Sequence, residues 1–169
     1  MRLFIPFLLF CCHFTTAQTD RSLLYEKAVE FGYRHQFKEA EIILSQIITI
    51  NPLDSMAYFD RAIMRENMGD TIGALDDFTK QISIDAKQVD SYFLRGMLYL
   101  KTKMYELALT DFKKVNRLDY GNADAHFFAA LLMEELGKPS RSIRKQLRNC
   151  LNINPAHEEA RAMLKSYMK

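Results

Sequence analysis

Residues Val89–Asn122 read VDSYFLRGMLYLKTKMYELALTDFKKVNRLDYGN, and this stretch decides the fold. Apolar side chains recur every three or four positions on both sides of a break at Thr102 and Lys103, which predicts two amphipathic helices joined by a short turn. Side chains of this stretch return along the chain with a period of 34 residues. A fixed period of about 20 to 50 residues is typical of stacked repeats, so the sequence predicts an array of helical hairpins.

Three columns of similar side chains carry the period. They are the aromatic column Tyr25, Phe59, Phe93 and Phe127, the aliphatic column Val29, Ile63, Met97 and Leu131, and the alanine column Ala40, Ala74 and Ala108. The repeats are expected at residues 21–54, 55–88, 89–122 and 123–155, the last divergent, with one extra residue in the Lys138–Ser140 loop. Residues 156–169 are expected to form a capping helix, because their narrow apolar face suits a helix covered on one side only.

Length, composition and charge indicate one globular domain. The chain has 169 residues, of which 49% are hydrophobic and 26% charged, enough for a continuous core. Its formal net charge is +2, from 23 basic and 21 acidic residues. This balance argues against a nucleic-acid partner, because nucleic-acid binders need clustered Lys and Arg.

The N-terminal residues 1–17 read MRLFIPFLLFCCHFTTA and have the layout of a secretory signal peptide. A basic residue precedes an apolar run, and small residues precede a possible cleavage site after Ala17. The run is too short for a membrane-spanning helix, which needs about 20 apolar residues. We therefore expect an exported protein, periplasmic or secreted, that is not inserted in the membrane once the signal is removed. An uncleaved anchor or a lipid-modified cysteine is the alternative.

Short motifs in the middle of the chain resemble a known family. Y-x-x-R-A at Tyr58–Ala62, Y-x-x-R-G-x-x-Y at Tyr92–Tyr99 and A-x-x-x-F at Ala74–Phe78 and Ala108–Phe112 resemble the tetratricopeptide repeat. The resemblance covers residues 21–155, although His126 stands where the family has an aromatic side chain. It implies an all-α fold, a right-handed α-solenoid of about four helix-turn-helix repeats with a C-terminal capping helix.

The resemblance also implies a function, a non-enzymatic scaffold that binds a protein or peptide in the concave groove lined by the first helix of each repeat. The positions that line this groove in the family fall on twelve residues of this chain. They are Tyr25, Val29, Tyr33, Phe59, Ile63, Asn67, Phe93, Met97, Lys101, Phe127, Leu131 and Glu135. The basic and amide side chains with which some family members clamp a peptide carboxylate are absent from the inner positions, so an apolar or amphipathic segment is the expected ligand.

Two alternatives remain open for these columns. Apolar stripes at helical spacing often form core, so the columns could pack against neighbouring helices. They could also bind a second copy of the chain, which would make the protein a self-associating structural component of a cell-envelope assembly and a homo-oligomer.

Enzyme signatures are absent from the sequence. There is no Gly-rich phosphate loop, no H-E-x-x-H and no G-x-S-x-G, and the histidines lack ligand spacing. We therefore predict no catalytic activity, no cofactor and no metal. His126 is expected to be a core histidine and Cys150 a buried, unreactive thiol.

Two Arg–Asp pairs share a spacing of 16 residues, Arg61 with Asp77 and Arg95 with Asp111. In the family that the chain resembles, these positions face each other across the helix hairpin. The expected role is a structural ion pair in each hairpin, and an arginine that binds a ligand is the alternative.

Overall fold

The computed structural model describes residues 21–168, which form α-helices joined by short turns, with no strand among them. The predicted signal peptide, with its cleavage site, lies outside the described residues. The helices are α1 (residues 21–33), α2 (Phe37–Ile50), α3 (Ser55–Asn67), α4 (Thr71–Ile84), α5 (Val89–Lys101), α6 (Tyr105–Leu118), α7 (Ala123–Glu135), α8 (Ser140–Ile153) and α9 (Glu158–Ser166).

The chain divides into two compact units, an N-terminal unit that ends at Ile84 and a C-terminal unit that begins at Asp85. In the N-terminal unit, α2 packs on α3 and α3 on α4. Its core contains Ala28 of α1, Leu44 and Ile47 of α2 and Ala57 of α3, all buried. Apolar side chains at positions i, i+4 and i+7 form one face of a helix, which explains why these helices pack along single stripes.

In the C-terminal unit, α5 packs against α6, α6 against α7, α7 against α8 and α8 against α9. Gly96 of α5 lies close to the ring of Phe112, where an added Cβ would come within 3.2 Å of the ring. Phe112 in turn stacks on Phe128 of α7, with ring centroids 5.2 Å apart. The small residue Gly96 thus lets α6 approach α5 closely, and the large Phe112 fills the space between α6 and α7.

Each hairpin turn contains one residue with a left-handed backbone. These residues are His35, Gly69, Lys103 and Gly137, which again follow the period of the chain. At each one the next backbone N–H reaches back five residues, as from Met104 to the Tyr99 carbonyl at 2.8 Å. This is the Schellman pattern, which satisfies the last carbonyls of a helix and turns the chain sharply. The breaks predicted in all four hairpins are therefore Schellman turns.

The last hairpin and the last helix deviate from the other repeats. Residues 136–139 separate α7 from α8, one residue more than residues 68–70 or residues 102–104 in the preceding hairpins. The final helix α9 is shorter than the predicted capping segment, because it begins only at Glu158 and ends at Ser166. The His157 side chain accepts a hydrogen bond from the Ala160 N–H and so fixes this start.

The Arg–Asp pairs form as the spacing predicts. Arg61 donates from Nε and Nη2 to the two carboxylate oxygens of Asp77 at 2.9 and 2.7 Å. Arg95 makes the same two-point contact with Asp111, both bonds at 2.8 Å. Arg65 adds a bond to Asp77 of 2.8 Å that the spacing did not predict. Both aspartates are buried, so the interpretation as structural ion pairs is confirmed.

His126 and Cys150 belong to the core of the C-terminal unit. His126 is 2% exposed, with Nδ1 at 2.7 Å from Gln146 Oε1 and Nε2 at 3.3 Å from the Tyr120 carbonyl oxygen. Cys150 is fully buried, and burial raises the pKa of its thiol to about 11. Both side chains therefore fill the positions that the sequence assigned to them, a core histidine and an unreactive thiol.

Candidate functional site

The twelve side chains expected to line a groove differ in their exposure. Five of them are exposed: Val29, Tyr33, Asn67, Lys101 and Glu135. The other seven are half-buried: Tyr25, Phe59, Ile63, Phe93, Met97, Phe127 and Leu131. None belongs to the fully buried core, so each keeps part of its surface available to a partner. Binding by these residues stays a prediction.

The aromatic column contributes to packing as well as to the surface. Phe59 meets buried Phe78 edge to face at 5.8 Å, and Phe93 meets Phe112 in the same way at 5.6 Å. The Tyr25 hydroxyl donates to Asp54 at 2.6 Å. Substitution of these rings would therefore disturb the core as well as any bound segment, and the exposed residues are better probes of binding.

In the N-terminal unit, helices α1, α2 and α3 enclose an open cavity of about 350 Å³. We call it the α1–α3 cavity. Four predicted groove residues line it: Val29, Tyr33, Ile63 and Asn67. Most of the other lining side chains are apolar, among them Phe37, Leu44 and Met64. The volume is within the range of side-chain and small-ligand pockets, so the cavity can take an apolar group from a bound molecule.

One carboxylate in the lining of this cavity was missed by the sequence analysis. Asp60 stands on α3 three, four and seven residues before Ile63, Met64 and Asn67, so it shares their helical face. Burial, and secondarily the negative charge of Asp54, raise the pKa of the Asp60 carboxyl to about 6. The signal that could have found it is its position one helical turn before the groove position Ile63 and two turns before Asn67.

Replacement of Asp60 by asparagine should stabilise the protein at pH 7 by about 1 kcal/mol. The pKa of the Asp60 carboxyl is higher in the folded state than in the unfolded state, where it is near 4. Below about pH 4 the wild-type side chain therefore costs no stability, and its ionisation lowers the free energy of unfolding as the pH rises through about 6. Partial contact with water keeps the effect below that of the full pKa shift. Urea unfolding at several pH values measures it.

The gain in the free energy of unfolding from Asp60→Asn should disappear near pH 4, because the wild-type carboxyl is then protonated and, like asparagine, uncharged. Asp76→Asn, which removes an exposed charge of the same unit, serves as the control and should change the free energy of unfolding by less than about 0.5 kcal/mol. A loss of stability at pH 7 in Asp60→Asn would show that the Asp60 charge has a favourable partner.

In the C-terminal unit, α5 and α7 contribute six of the predicted groove residues: Phe93, Met97, Lys101, Phe127, Leu131 and Glu135. The two helices are neighbours at Phe93 and Phe128, whose ring centroids are 6.1 Å apart. The Phe127 ring is also contacted by His157 at 4.6 Å, so the segment before α9 covers part of it. At its exposed positions this surface carries the charged side chains Lys101 and Glu135, whereas Val29 and Tyr33 are exposed at the α1–α3 cavity.

Residues 21–168 contain no group of three or more His, Cys, Asp or Glu side chains arranged to hold a metal ion. Within the same residues, no helix is both long enough and apolar enough to cross a membrane.

Comparison with known proteins agrees with the repeat period. The family model of the tetratricopeptide repeat matches residues 89–122. The fold is similar to that of MamA from Desulfovibrio magneticus RS-1, with a TM-score of 0.77 at 18% identity over 87% of this chain and 82% of that one. Residues 89–122 are thus a tetratricopeptide repeat, and the described helices have the fold of tetratricopeptide-repeat proteins. The predicted fold class is thereby confirmed.

Two further similarities are to a solved structure and to a human protein. A second solved structure with this fold is YrrB, described as a tetratricopeptide-repeat protein with an unusual peptide-binding site. Its TM-score is 0.72 at 18% identity, over 86% of this chain and 74% of YrrB. The human protein O-mannosyl-transferase TMTC3 is 27% identical over 156 residues, 88% of this chain. The chain spans only 17% of the length of that relative.

Proposed function

We propose that this protein is a non-enzymatic interaction module that binds a partner segment on the faces of α1 and α3 in its N-terminal unit. The observation that carries the proposal is the open, apolar α1–α3 cavity, with Val29 and Tyr33 exposed on its rim. Exposed apolar side chains around a concavity are typical of protein-binding surfaces. The description of YrrB as having a peptide-binding site supports the proposal, because YrrB has the same fold.

The energetics favour a segment with an apolar anchor. Burial of a Leu or Phe side chain of the partner in such a cavity contributes about 1.5–3 kcal/mol, and an interface is usually dominated by a few such anchors. A polar side chain in the lining of the cavity, Asn67, can then select the sequence and orientation of the segment.

The test replaces exposed side chains, because these can change without disturbing the core. In the double variant Val29→Asp, Tyr33→Asp, two charges replace side chains that are 50% and 83% exposed. The protein should remain helical by circular dichroism and lose the partners that the wild type retrieves from an extract of its native cells. Each buried anchor lost from the complex reduces affinity by at least about tenfold.

A matched control keeps the number and type of substitutions the same. Ile42 and Ile72 are 50% and 77% exposed and lie on α2 and α4, outside the proposed face. The variant Ile42→Asp, Ile72→Asp should retrieve the wild-type set of partners. Equal retrieval by both double variants contradicts the proposal.

Self-association is the competing function, and the same variants separate it from partner binding. Only self-association gives a mass that increases with protein concentration when no partner is present. Light scattering over a wide concentration range should give a constant mass for the wild type. If the mass rises, and Val29→Asp, Tyr33→Asp abolishes that rise, the face is a contact between copies of the chain.

A further inference from the structure

The α1–α3 cavity combines an apolar wall with one acidic group. Val29 and Tyr33 contribute from α1, Phe37 and Leu44 from α2, and Ile63 and Met64 from α3. Asp60 brings a carboxylate to the same lining. A ligand group that satisfies both parts must be long and apolar over most of its length and carry a positive charge at its end.

Among the residues that the structure describes, the Asp60 carboxylate forms no ion pair: Arg21, which lines a second open pocket with it, pairs with Asp54, and the His35 ring in the lining of the α1–α3 cavity packs against Phe37. Its pKa is raised by burial and by the negative charge of Asp54, and no cation acts to lower it. The Asp54 carboxylate, by contrast, pairs with Arg21 at 3.3 Å and accepts the Tyr25 hydroxyl at 2.6 Å. Asp60 is therefore the acidic group of this region that is left to pair with a ligand.

The two arginines of α3 pair with other carboxylates of the same unit and do not compete with a ligand for Asp60. Arg61 follows it directly in the sequence, yet its guanidinium is held by Asp77 and by Ser45 Oγ at 3.0 Å. Arg65 is held by Asp77 and by Glu41 at 2.8 and 2.9 Å. Both guanidinium groups are thus kept in the α2–α4 network.

We propose that the α1–α3 cavity is a pocket for a lysine side chain of the bound partner, with its methylene stem against the apolar wall and its ammonium group paired with Asp60. The inference rests on the proposed function, because it names the kind of segment that the face binds. Lysine fits because four methylene groups separate its charge from its backbone. An acidic side chain is repelled by Asp60, and a neutral apolar one leaves the carboxylate without a partner.

The test uses three linear probes with six carbons each and different head groups: hexylammonium, hexanol and hexanoate. Methyl resonances of Val29, Ile63 and Met64 report binding in the purified protein. Charge-assisted hydrogen bonds are stronger than neutral ones, so hexylammonium should bind about tenfold more tightly than hexanol at pH 7. Hexanoate should bind most weakly. Equal affinity for hexylammonium and hexanol would overturn the proposal.

Two variants locate the charge that is responsible. Asp60→Asn keeps the size of the side chain and should bind hexylammonium and hexanol equally, with hexanol affinity unchanged. Asp76→Asn removes an exposed charge from α4 of the same unit and should keep the tenfold preference. A preference that persists in Asp60→Asn also overturns the proposal, because the charge then acts from elsewhere.

The probes also separate this inference from the proposed function. The hexylammonium preference needs no protein partner, so it can hold even if Val29→Asp, Tyr33→Asp retrieves every wild-type partner. If both results are observed, the cavity is a cation-selective pocket, and the proposal that this face binds a protein partner is wrong. Loss of partners in the double variant without a hexylammonium preference would keep the face and reject lysine as its occupant.

Discussion

Asp77→Ala should lower the free energy of unfolding by about 3 kcal/mol, because it removes the shared acceptor of two arginines. Asp77 is 3% exposed and takes hydrogen bonds from Arg61 and Arg65 at 2.7–2.9 Å. Removal of one partner from a buried ion pair typically costs about 3–5 kcal/mol, since the remaining charge loses its compensation. Both guanidinium groups keep some contact with water, which places the expected loss at the lower end. Urea unfolding measures the change.

The neighbouring residue provides the control. Asp76 lies next to Asp77 on α4 but is exposed, and Asp76→Ala should change the free energy of unfolding by less than about 0.5 kcal/mol. The difference between the two variants isolates the buried network from the loss of a carboxylate on this helix. A loss below about 1 kcal/mol in Asp77→Ala would mean that both arginines find water or new acceptors.

The repeat columns of the sequence predicted the helices and their packing, because the period repeats the same contact in each hairpin. The spacing of Arg61 and Asp77 placed an arginine opposite an aspartate, and the same spacing did so for Arg95 and Asp111. Such a contact depends on positions within one hairpin. The resemblance to the tetratricopeptide repeat supplies the hairpin geometry that makes the spacing of 16 residues a contact.

The α1–α3 cavity could not be predicted in the same way. It depends on three helices meeting with a gap between them, and the size of a gap follows from the details of packing. In the sequence Asp60 is marked only by its position one helical turn before Ile63, and an acidic residue on a helix is normally solvated. Its perturbed pKa arises from burial beside Asp54, which only the folded chain brings about.

The aromatic column shows a second limit of sequence reasoning. Its spacing is the same whether its side chains line a groove or pack against neighbouring rings, so periodicity left both alternatives open. The structure shows that Phe59 and Phe93 pack half-buried against Phe78 and Phe112, and binding by the exposed part of these rings stays a prediction. Exposure depends on the next helix in space, which no local pattern contains.

Gly96→Leu should lower the free energy of unfolding by about 3 kcal/mol through overpacking. The Cβ alone would lie 3.2 Å from Phe112 Cζ and 3.4 Å from the Asp111 Cβ, and three further carbons must find space beyond it. Phe112 cannot move aside easily, because it is fully buried and stacked on Phe128 at 5.2 Å. Extra carbons in a close-packed core typically cost about 1–3 kcal/mol, and this site leaves little room for relaxation.

The smaller substitution and a double variant identify the cause. Gly96→Ala should be nearly neutral, because a gain in helix propensity of about 1 kcal/mol offsets one tight contact. The preceding repeats support this, since Ala28 and Ala62 stand at the equivalent positions and are buried there. Phe112→Ala alone should lower the free energy of unfolding by about 3–5 kcal/mol. The double variant Gly96→Leu, Phe112→Ala should lose at least about 1 kcal/mol less than the sum of the losses of the two single variants. Strict additivity would show that the leucine clashes with something other than the Phe112 ring, and the close approach of α5 and α6 at Gly96 would then have a different basis.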